Sequence, residues 1–417
     1  MTHHNQVGPT PIHTAVEVRD CSQLDRLGSK TNPPWPQLHS NAVKIFALLT
    51  MLTIPCPASD KADARLKPID IFTVGREVIE GVDDARKYVR YREQCAVVTE
   101  KDVLVMICQA RNDSAWSDRS GQDLVCKTST DSARTWSQGR LIVTHGDKSI
   151  CPNAAVYDRL TGRIHLLYNL FEWPYQDPAS RKSWPDPRRR QYHLYSDNDG
   201  QTWSKPREIS HMMRRPGSIC IFGSGEGIQL AHGPHKGRLI VPGGHFDDDG
   251  KKFYVYYSDD AGQTWKTGEP VPCGACESSI AELPDGTVLV NNRGLKGYRR
   301  WGISTDQGIT WSGLDHHKQL PSVSCNGSII TAKDPQQPGR TYVLCSRPVG
   351  KGRRRGVVSA SIDGGKTWPI SKVAVPGPFA YSSLAVLPDG HIGLFYETNE
   401  YEKVCVVRFT LGWLLDR

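Results

Sequence analysis

Short apolar runs recur along the chain, and each is bounded by glycine, aspartate or proline. Typical runs are residues 103–107, 164–168, 238–241 and 287–290. They are rich in β-branched residues, and few segments carry the 3.6-residue period of an amphipathic helix. This pattern predicts an all-β protein built from many short strands.

Five near-identical octapeptides with the pattern Ser-x-Asp-x-Gly-x-Thr-Trp occur at intervals of 46 to 67 residues. The copies are residues 129–136, 196–203, 258–265, 304–311 and 361–368. Serine and aspartate side chains can bind the backbone groups of a tight turn, and glycine accepts a positive φ. We expect the tryptophan to pack the turn onto its own sheet. A turn that repeats roughly every fifty residues predicts propeller blades, so we assign these aspartates to structure and not to catalysis.

The number of blades follows from the repeats and the chain end. Five octapeptides and a terminal segment, residues 405–413, suited to closing a ring predict six blades. We therefore place a six-bladed β-propeller over residues 65–417, closed by pairing of the two ends of this domain.

The first 64 residues have a different composition. Residues 1–41 are polar and proline-rich, which predicts a disordered extension, or a segment upstream of the true start codon. Residues 42–64 place a lysine before ten apolar residues and a small-residue region, the pattern of a signal peptide. Ten apolar residues are too few to span a bilayer, and the alternative is a buried core helix. We expect a secreted or periplasmic protein, without a transmembrane segment in the mature chain.

Charge and cysteine content restrict the possible partners. The formal net charge is +8, but the basic residues are dispersed apart from residues 188–190 and 353–355, so we expect no nucleic acid partner. Cys273 and Cys276 have the spacing of a metal or redox pair, yet no second such pair accompanies them. A local disulfide or free thiols are therefore expected instead of a metal. No cofactor motif appears, and we expect a monomer.

Candidate chemistry is concentrated between residues 91 and 136. Arg92 and Arg111 lie at the predicted ends of strands, and Asp113 and Asp118 lie in the loop that follows. Loops at strand ends are where catalytic residues usually lie.

With these residues, the octapeptides known as Asp-boxes make the chain similar to the sialidases (neuraminidases), in particular bacterial-type exo-alpha-sialidases with BNR repeats. The resemblance runs from about residue 91 to residue 413. It implies a six-bladed propeller that removes terminal sialic acids from glycans by a retaining mechanism.

The resemblance also implies the arginines of the site. Arg92 follows Tyr91 as in the family's first arginine motif, although Glu93-Gln94 replaces the usual Ile-Pro. Arg111 ends the Gln-Ala-Arg segment, and Arg293 ends an Asn-Asn-Arg segment. Arg353 has the offset of the third carboxylate-binding arginine from the last Asp-box, with Arg354 as its competitor.

Four acidic and phenolic residues complete the implied set. Tyr381 lies in an Ala-Tyr-Ser segment and is the implied nucleophile, and Glu277 is the glutamate that takes its proton. Asp118 is the implied acid and base, with Asp113 as the alternative. Glu397, in a Phe-Tyr-Glu segment, is implied to hold the first arginine.

This combination suits an anionic sugar. Guanidinium groups form bidentate, charge-assisted hydrogen bonds with a carboxylate. A neutral phenol avoids the repulsion that a carboxylate nucleophile would meet, and sialidases are known exceptions with a tyrosine nucleophile. We expect the surrounding arginines to favour the phenolate of Tyr381. Two alternatives remain: a propeller that binds glycans without cutting them, and a propeller glycosidase or lyase acting on another acidic sugar.

Overall fold

The structure is a computed structural model that describes residues 66–83, 86–112, 121–171, 189–214, 219–222, 225–247, 250–275 and 277–417. These residues belong to one compact unit, Cys56–Arg417. The predicted disordered extension and signal peptide lie outside the described residues.

In the described part of the chain, twenty-eight strands make up six sheets. The first half of the chain contains β1 (Ile69–Thr73), β2 (Ile79–Glu80), β3 (Arg90–Val98), β4 (Leu104–Arg111), β5 (Gln122–Ser129), β6 (Gly139–Val143), β7 (Ser149–Asp158), β8 (Arg163–Phe171), β9 (Arg189–Ser196), β10 (Arg207–Glu208), β11 (Ile219–Phe222), β12 (Gly225–Glu226), β13 (Ile228–Gln229) and β14 (Leu239–Asp247). The second half contains β15 (Gly250–Ser258), β16 (Lys266–Thr267), β17 (Val271–Pro272), β18 (Ser278–Glu282), β19 (Val288–Asn292), β20 (Tyr298–Ser304), β21 (Asp315–Pro321), β22 (Ile329–Lys333), β23 (Thr341–Pro348), β24 (Arg354–Ser361), β25 (Ile370–Pro378), β26 (Ser382–Val386), β27 (Ile392–Thr398) and β28 (Lys403–Phe409).

Each sheet is one blade. Blade one is β3 to β6 with β2, blade two is β7 to β10 with β12, and blade three is β11 and β14 to β16 with β13 and β17. Blades four and five are β18 to β21 and β22 to β25, and blade six is β26 to β28 with β1. Inner strands of successive blades contact one another around a ring, including β26 of blade six against β3 of blade one. The predicted all-β, six-bladed propeller is confirmed.

The ring closes through the two ends of the propeller. Strand β1 pairs antiparallel with β28, with Ile69 opposite Val406. Blade six thus takes its outer strand from the N-terminal side of the propeller and the other three from its C-terminal side. A single helical turn, α1 (Leu411–Leu414), follows β28 and buries Leu411 and Leu414 in the core.

The five Asp-boxes have nearly the same internal hydrogen bonds. In the last copy, Asp363 accepts hydrogen bonds from the Thr367 backbone N–H at 2.9 Å, the Thr367 hydroxyl at 2.6 Å and the Ser361 hydroxyl at 2.8 Å. Ser361 Oγ in turn accepts the Gly365 N–H at 2.8 Å. Asn198 takes the aspartate position in the second copy, and Ala133 takes the glycine position in the first with φ of 66°. In each box, therefore, the serine and the aspartate or asparagine side chains bind backbone N–H groups of their own turn.

The boxes also explain why five repeats accompany six blades. Each box connects the third strand of a blade to the fourth, as between β5 and β6. In blade six the third strand is β28 and the fourth is β1, so no such turn exists there.

The tryptophans of the boxes reach beyond their own sheets. The Trp311 ring lies edge-on to Phe253 of blade three at 5.1 Å between centroids, and Trp368 lies edge-on to Trp301 of blade four at 5.4 Å. Trp136 of blade one contacts Phe395 of blade six in the same way at 6.4 Å. These rings therefore also join neighbouring blades, a contact that the expected packing on their own sheets did not include.

Candidate active site

One end of the propeller gathers the predicted site residues. In an antiparallel meander, the starts of the first and third strands and the end of the second strand share one edge. Arg92 lies near the start of the first strand β3, Arg293 directly follows the second strand β19, and Arg353 directly precedes the third strand β24. The Asp-boxes follow the third strands and so occupy the opposite end.

Tyr381 and Glu277 are in contact at this end. The Tyr381 hydroxyl donates a hydrogen bond to one carboxylate oxygen of Glu277. Arg293 donates to the other oxygen through Nη1, which also lies 3.0 Å from Tyr381 Oη. Ser324 Oγ accepts from Arg293 Nε at 3.1 Å. The arrangement joins blade six to blade four and places a phenol, a carboxylate and a guanidinium in one hydrogen-bonded triangle.

Burial and nearby charges set the acidity of Tyr381. The side chain is buried, and burial together with the charge of Glu277 raises the pKa of Tyr381 well above its ordinary value. Arg293 and Arg92 lower this pKa, but by less. The arginines thus favour the phenolate, as expected, but burial and Glu277 outweigh them, so at rest Tyr381 is a neutral phenol that donates to Glu277.

Glu397 holds Arg92 and the backbone near Tyr381. Arg92 Nε and Nη2 lie 3.2 and 3.4 Å from the two oxygens of Glu397, which is fully buried. The same carboxylate accepts the backbone N–H of Glu93 at 2.8 Å and that of Tyr381 at 3.3 Å. One buried carboxylate thus links the strand of Arg92 to the segment of Tyr381.

Arg353 completes a set of guanidinium groups around Tyr381. Arg353 Cζ lies 5.2 Å from the centroid of the Tyr381 ring, and Arg92 Cζ lies 5.0 Å from it. Arg353 Nη1 lies 2.9 Å from the hydroxyl of Tyr401. The competitor Arg354 is exposed and lines an adjacent cleft with Arg353. Arg92, Arg293 and Arg353 therefore all contact one side chain, although they come from three different blades.

Arg111 lies near this group but has other partners. It is buried, with Nη2 at 3.1 Å from Gln109 Oε1 and 3.5 Å from Glu93 Oε1. Strand β3 has a bulge at Glu93-Gln94, where the family motif has Ile-Pro, with Glu93 at φ of 52°. Gln94 Nε2 donates to the Tyr381 carbonyl at 2.8 Å. The departure from the family motif therefore ties β3 to the segment that carries Tyr381.

Several predictions fall on residues outside the described part of the chain. Asp118 and Asp113 lie there, and so does Cys276 of the predicted cysteine pair. Cys273, the other member of that predicted pair, is a free thiol. The same holds for Cys95, Cys108, Cys126, Cys151, Cys325, Cys345 and Cys405. In the described residues, no group of three or more His, Cys, Asp or Glu side chains is arranged to hold a metal ion. Nor does any helix there have the length and apolar character needed to cross a membrane.

Sequence reasoning missed Tyr401 and Ser324. Tyr401 follows Asn399 and Glu400, and all three have positive φ, at 49°, 54° and 71° in chain order. Left-handed backbone costs a non-glycine residue about 1–2 kcal/mol, and strain of this kind is concentrated at functional sites. An Asn-Glu-Tyr segment carries no glycine to signal such a turn, so nothing in the sequence pointed to it.

Comparisons with known proteins agree with the geometry. A family model described as a BNR repeat-like domain matches residues 106–394. A sialidase from Micromonospora viridifaciens is 35% identical over 308 residues, which are 69% of this chain and 46% of that protein. A sialidase from Bacteroides fragilis is 27% identical over 327 residues, which are 73% of this chain and 59% of that protein. The chain thus spans about half the length of these curated relatives.

A solved structure gives the same picture. The structure of the Hadza microbial sialidase Hz136 is 26% identical, with a TM-score of 0.71, and the match covers 78% of this chain and 67% of that one. The relatives and the fold point to one family.

Proposed function

Because the chain belongs to the sialidase family with BNR repeats, we propose that it is an exo-alpha-sialidase that hydrolyses terminal sialic acids from glycoconjugates. The single observation that carries this proposal is the contact of Tyr381 with Glu277 inside a set of three guanidinium groups. We further propose that the protein is exported, on the signal-peptide pattern of residues 42–64.

Arg92, Arg293 and Arg353 bind the substrate carboxylate in this proposal. Each guanidinium supplies charge-assisted hydrogen bonds worth about 1.5–3 kcal/mol. The carboxylate is attached to the anomeric carbon, so gripping it fixes the position of that carbon next to Tyr381. Arg111, buried beside Glu93, binds another part of the sugar.

The chemistry proceeds in two displacements. Tyr381 Oη forms a bond to the anomeric carbon while the glycosidic C–O bond breaks, and the phenolic proton passes to Glu277. Asp118 protonates the leaving oxygen. Asp118 then takes a proton from water, which attacks the same carbon, and the bond to Tyr381 breaks as Glu277 returns the proton. Two displacements retain the anomeric configuration.

The high pKa of Tyr381 makes Glu277 essential to this scheme. A phenol that stays protonated at rest is a weak nucleophile, so its proton must leave as the bond to carbon forms. Glu277 already accepts the hydrogen bond through which this transfer runs.

The test is cleavage of a fluorogenic sialoside by the purified protein and by Tyr381→Phe. The variant keeps the buried ring and loses only the hydroxyl, so we expect an unchanged circular dichroism spectrum and a loss of turnover of roughly 10³-fold or more. Turnover of the variant at the rate of the unaltered protein would contradict the assignment of the nucleophile.

The same assay separates the alternatives. Binding of sialylated glycans without cleavage by the unaltered protein would favour a glycan-binding propeller. Cleavage of other acidic sugars, with no cleavage of sialosides, would favour a different glycosidase or a lyase.

A further inference from the structure

The three guanidinium groups have partners of different charge. Arg92 contacts the carboxylate of Glu397, and Arg293 contacts that of Glu277. Arg353 instead contacts the phenol of Tyr401, with 2.9 Å between Nη1 and Oη. Within the described ranges of the chain, Arg353 makes no ion pair.

The two described carboxylates pair with Arg92 and Arg293, so Arg353 is the guanidinium of the three whose described partner is neutral. A substrate with a single carboxylate brings one negative charge. Because the phenol is neutral, it holds Arg353 by a hydrogen bond and forms no ion pair with it. The guanidinium can then pair with the carboxylate of the substrate.

The ring of Tyr401 has a second contact. Its centroid lies 4.3 Å from Arg92 Cζ and 6.0 Å from Arg353 Cζ. The Tyr381 ring lies 5.0 and 5.2 Å from the same two carbons. Two aromatic rings thus contact two cations of like charge, and each cation is attracted to the faces of the rings, which offsets the repulsion between the cations.

The backbone around Tyr401 accounts for its position. Residues 399–401 all have positive φ and directly follow β27, the strand that carries Glu397. The turn is held by the Asn399 side-chain amide, which donates to Glu402 at 2.7 Å, and by the Glu402 N–H, which donates to the Asn399 carbonyl at 3.0 Å. This left-handed turn places the phenol between Arg92 and Arg353.

We propose that Tyr401 is a positioning residue that orients Arg353 for the substrate carboxylate while leaving its charge unpaired. The inference rests on the proposed sialidase function and names a further residue of that site. In this proposal the side chain at position 401 must be uncharged. A residue that only supported the fold would not have to be uncharged.

The experiment compares Tyr401→Phe with Tyr401→Glu, using KM and kcat for a sialoside and the dissociation constant of free sialic acid. Tyr401→Phe removes the hydroxyl and keeps the ring, so we expect KM to rise about 3- to 10-fold, with little change in kcat. Tyr401→Glu pairs Arg353 with a carboxylate, so we expect KM to rise about 100-fold or more. Lowering the pH until the introduced carboxyl is protonated should bring this KM back toward that of Tyr401→Phe.

Tyr195→Phe is the matched control. Tyr195 also stacks on an arginine, with Arg163 Cζ 3.7 Å from its ring centroid, but it lies on β9 away from the site. This variant should match the unaltered protein in KM. Circular dichroism and thermal unfolding of each variant show that the fold persists.

The outcomes separate the two proposals. Unchanged KM and dissociation constant in both Tyr401 variants, or a Tyr401→Glu KM that does not depend on pH, would overturn the inference about Tyr401. An unaltered protein that binds sialic acid without cleaving sialosides would overturn the proposed hydrolysis, while the dissociation constants of the variants would still decide the role of Tyr401. No binding of sialic acid by the unaltered protein would overturn both.

Discussion

The two ends of the propeller use carboxylates in opposite ways. At the box end, Asp363 takes all its hydrogen bonds from Ser361 and Thr367. At the site end, Glu397 binds Arg92, which lies 305 residues away, and Glu277 binds the hydroxyl of Tyr381, which lies 104 residues away. The first arrangement is complete within eight residues, whereas the second exists only when distant blades come together.

This contrast explains why one end repeats and the other does not. The hydrogen-bonding partners of a box lie within the same octapeptide, so the box can recur in one blade after another. The second box keeps this arrangement with Asn198 in the place of aspartate. Partial burial raises the pKa of Asp363, but the hydrogen bonds from Thr367 and Ser361 outweigh this effect and lower the pKa to about 2. The site carboxylates bind arginines and tyrosines of other blades, so a single site carboxylate cannot recur in another blade without those partners.

The largest expected effect comes from exchanging carboxylate for amide at each end. Glu277→Gln removes the group that accepts the proton of Tyr381, so we expect kcat for a sialoside to fall by roughly 10²- to 10⁴-fold. Asp306→Asn in the fourth box should leave kcat unchanged, because Asn198 already fills the equivalent position in the second box. Steady-state kinetics of both variants provide the check. Similar losses in the two variants would show that the ends do not differ as described.

A pH effect on stability is expected next, at the box end. His165 Nδ1 and His193 Nε2 lie 2.9 Å apart, and both rings stack edge-on to Trp265 of the third box. Burial lowers the pKa of His165 to about 4 and that of His193 well below its ordinary value, although Asp158 and Asp197 oppose the shift at His165. The unfolded chain therefore binds more protons below the ordinary histidine pKa of about 6.5.

Stability should thus be fully present above about pH 6.5 and decline as the pH falls toward 4. The contribution of His165 to this decline is at most about 3 kcal/mol in the free energy of unfolding. Urea unfolding of the protein and of His165→Gln across this range measures it, and the variant should show a shallower decline. An equal pH dependence in both proteins would contradict the assignment. The box aspartates respond in a lower range, because their depressed pKa values lose their contribution only below about pH 4.

The smallest effect is expected from a single box. Asp363→Ala removes three hydrogen bonds from one turn and should lower the free energy of unfolding by about 1–2 kcal/mol. Asp363→Asn keeps an acceptor oxygen and should cost less than about 0.5 kcal/mol. Chemical denaturation gives both values, and activity serves as the control because it should not change. Equal losses for Asp363→Asn and Asp363→Ala would mean that charge, and not hydrogen bonding, stabilises the turn.

Much of the fold could be predicted because its signals are local. The short apolar runs and the five octapeptides indicated strands, turns and blades, and the blade count followed from them. The contacts of the box tryptophans with other blades were not predicted, because the partners Phe253, Trp301 and Phe395 lie in neighbouring blades and leave no mark near the repeat.

The sequence by itself determined which residue types were available and where each blade turns, since every box satisfies its own backbone. It also carried the motif positions of Arg92, Glu277, Arg293, Arg353, Tyr381 and Glu397. The folded arrangement was needed to show that burial and Glu277 outweigh the arginines in setting the pKa of Tyr381, and that Tyr401 is the neutral partner of Arg353. The reason is physical: burial and the summed field of charges from four blades set the state of a group, and neither quantity can be read from its neighbours along the chain.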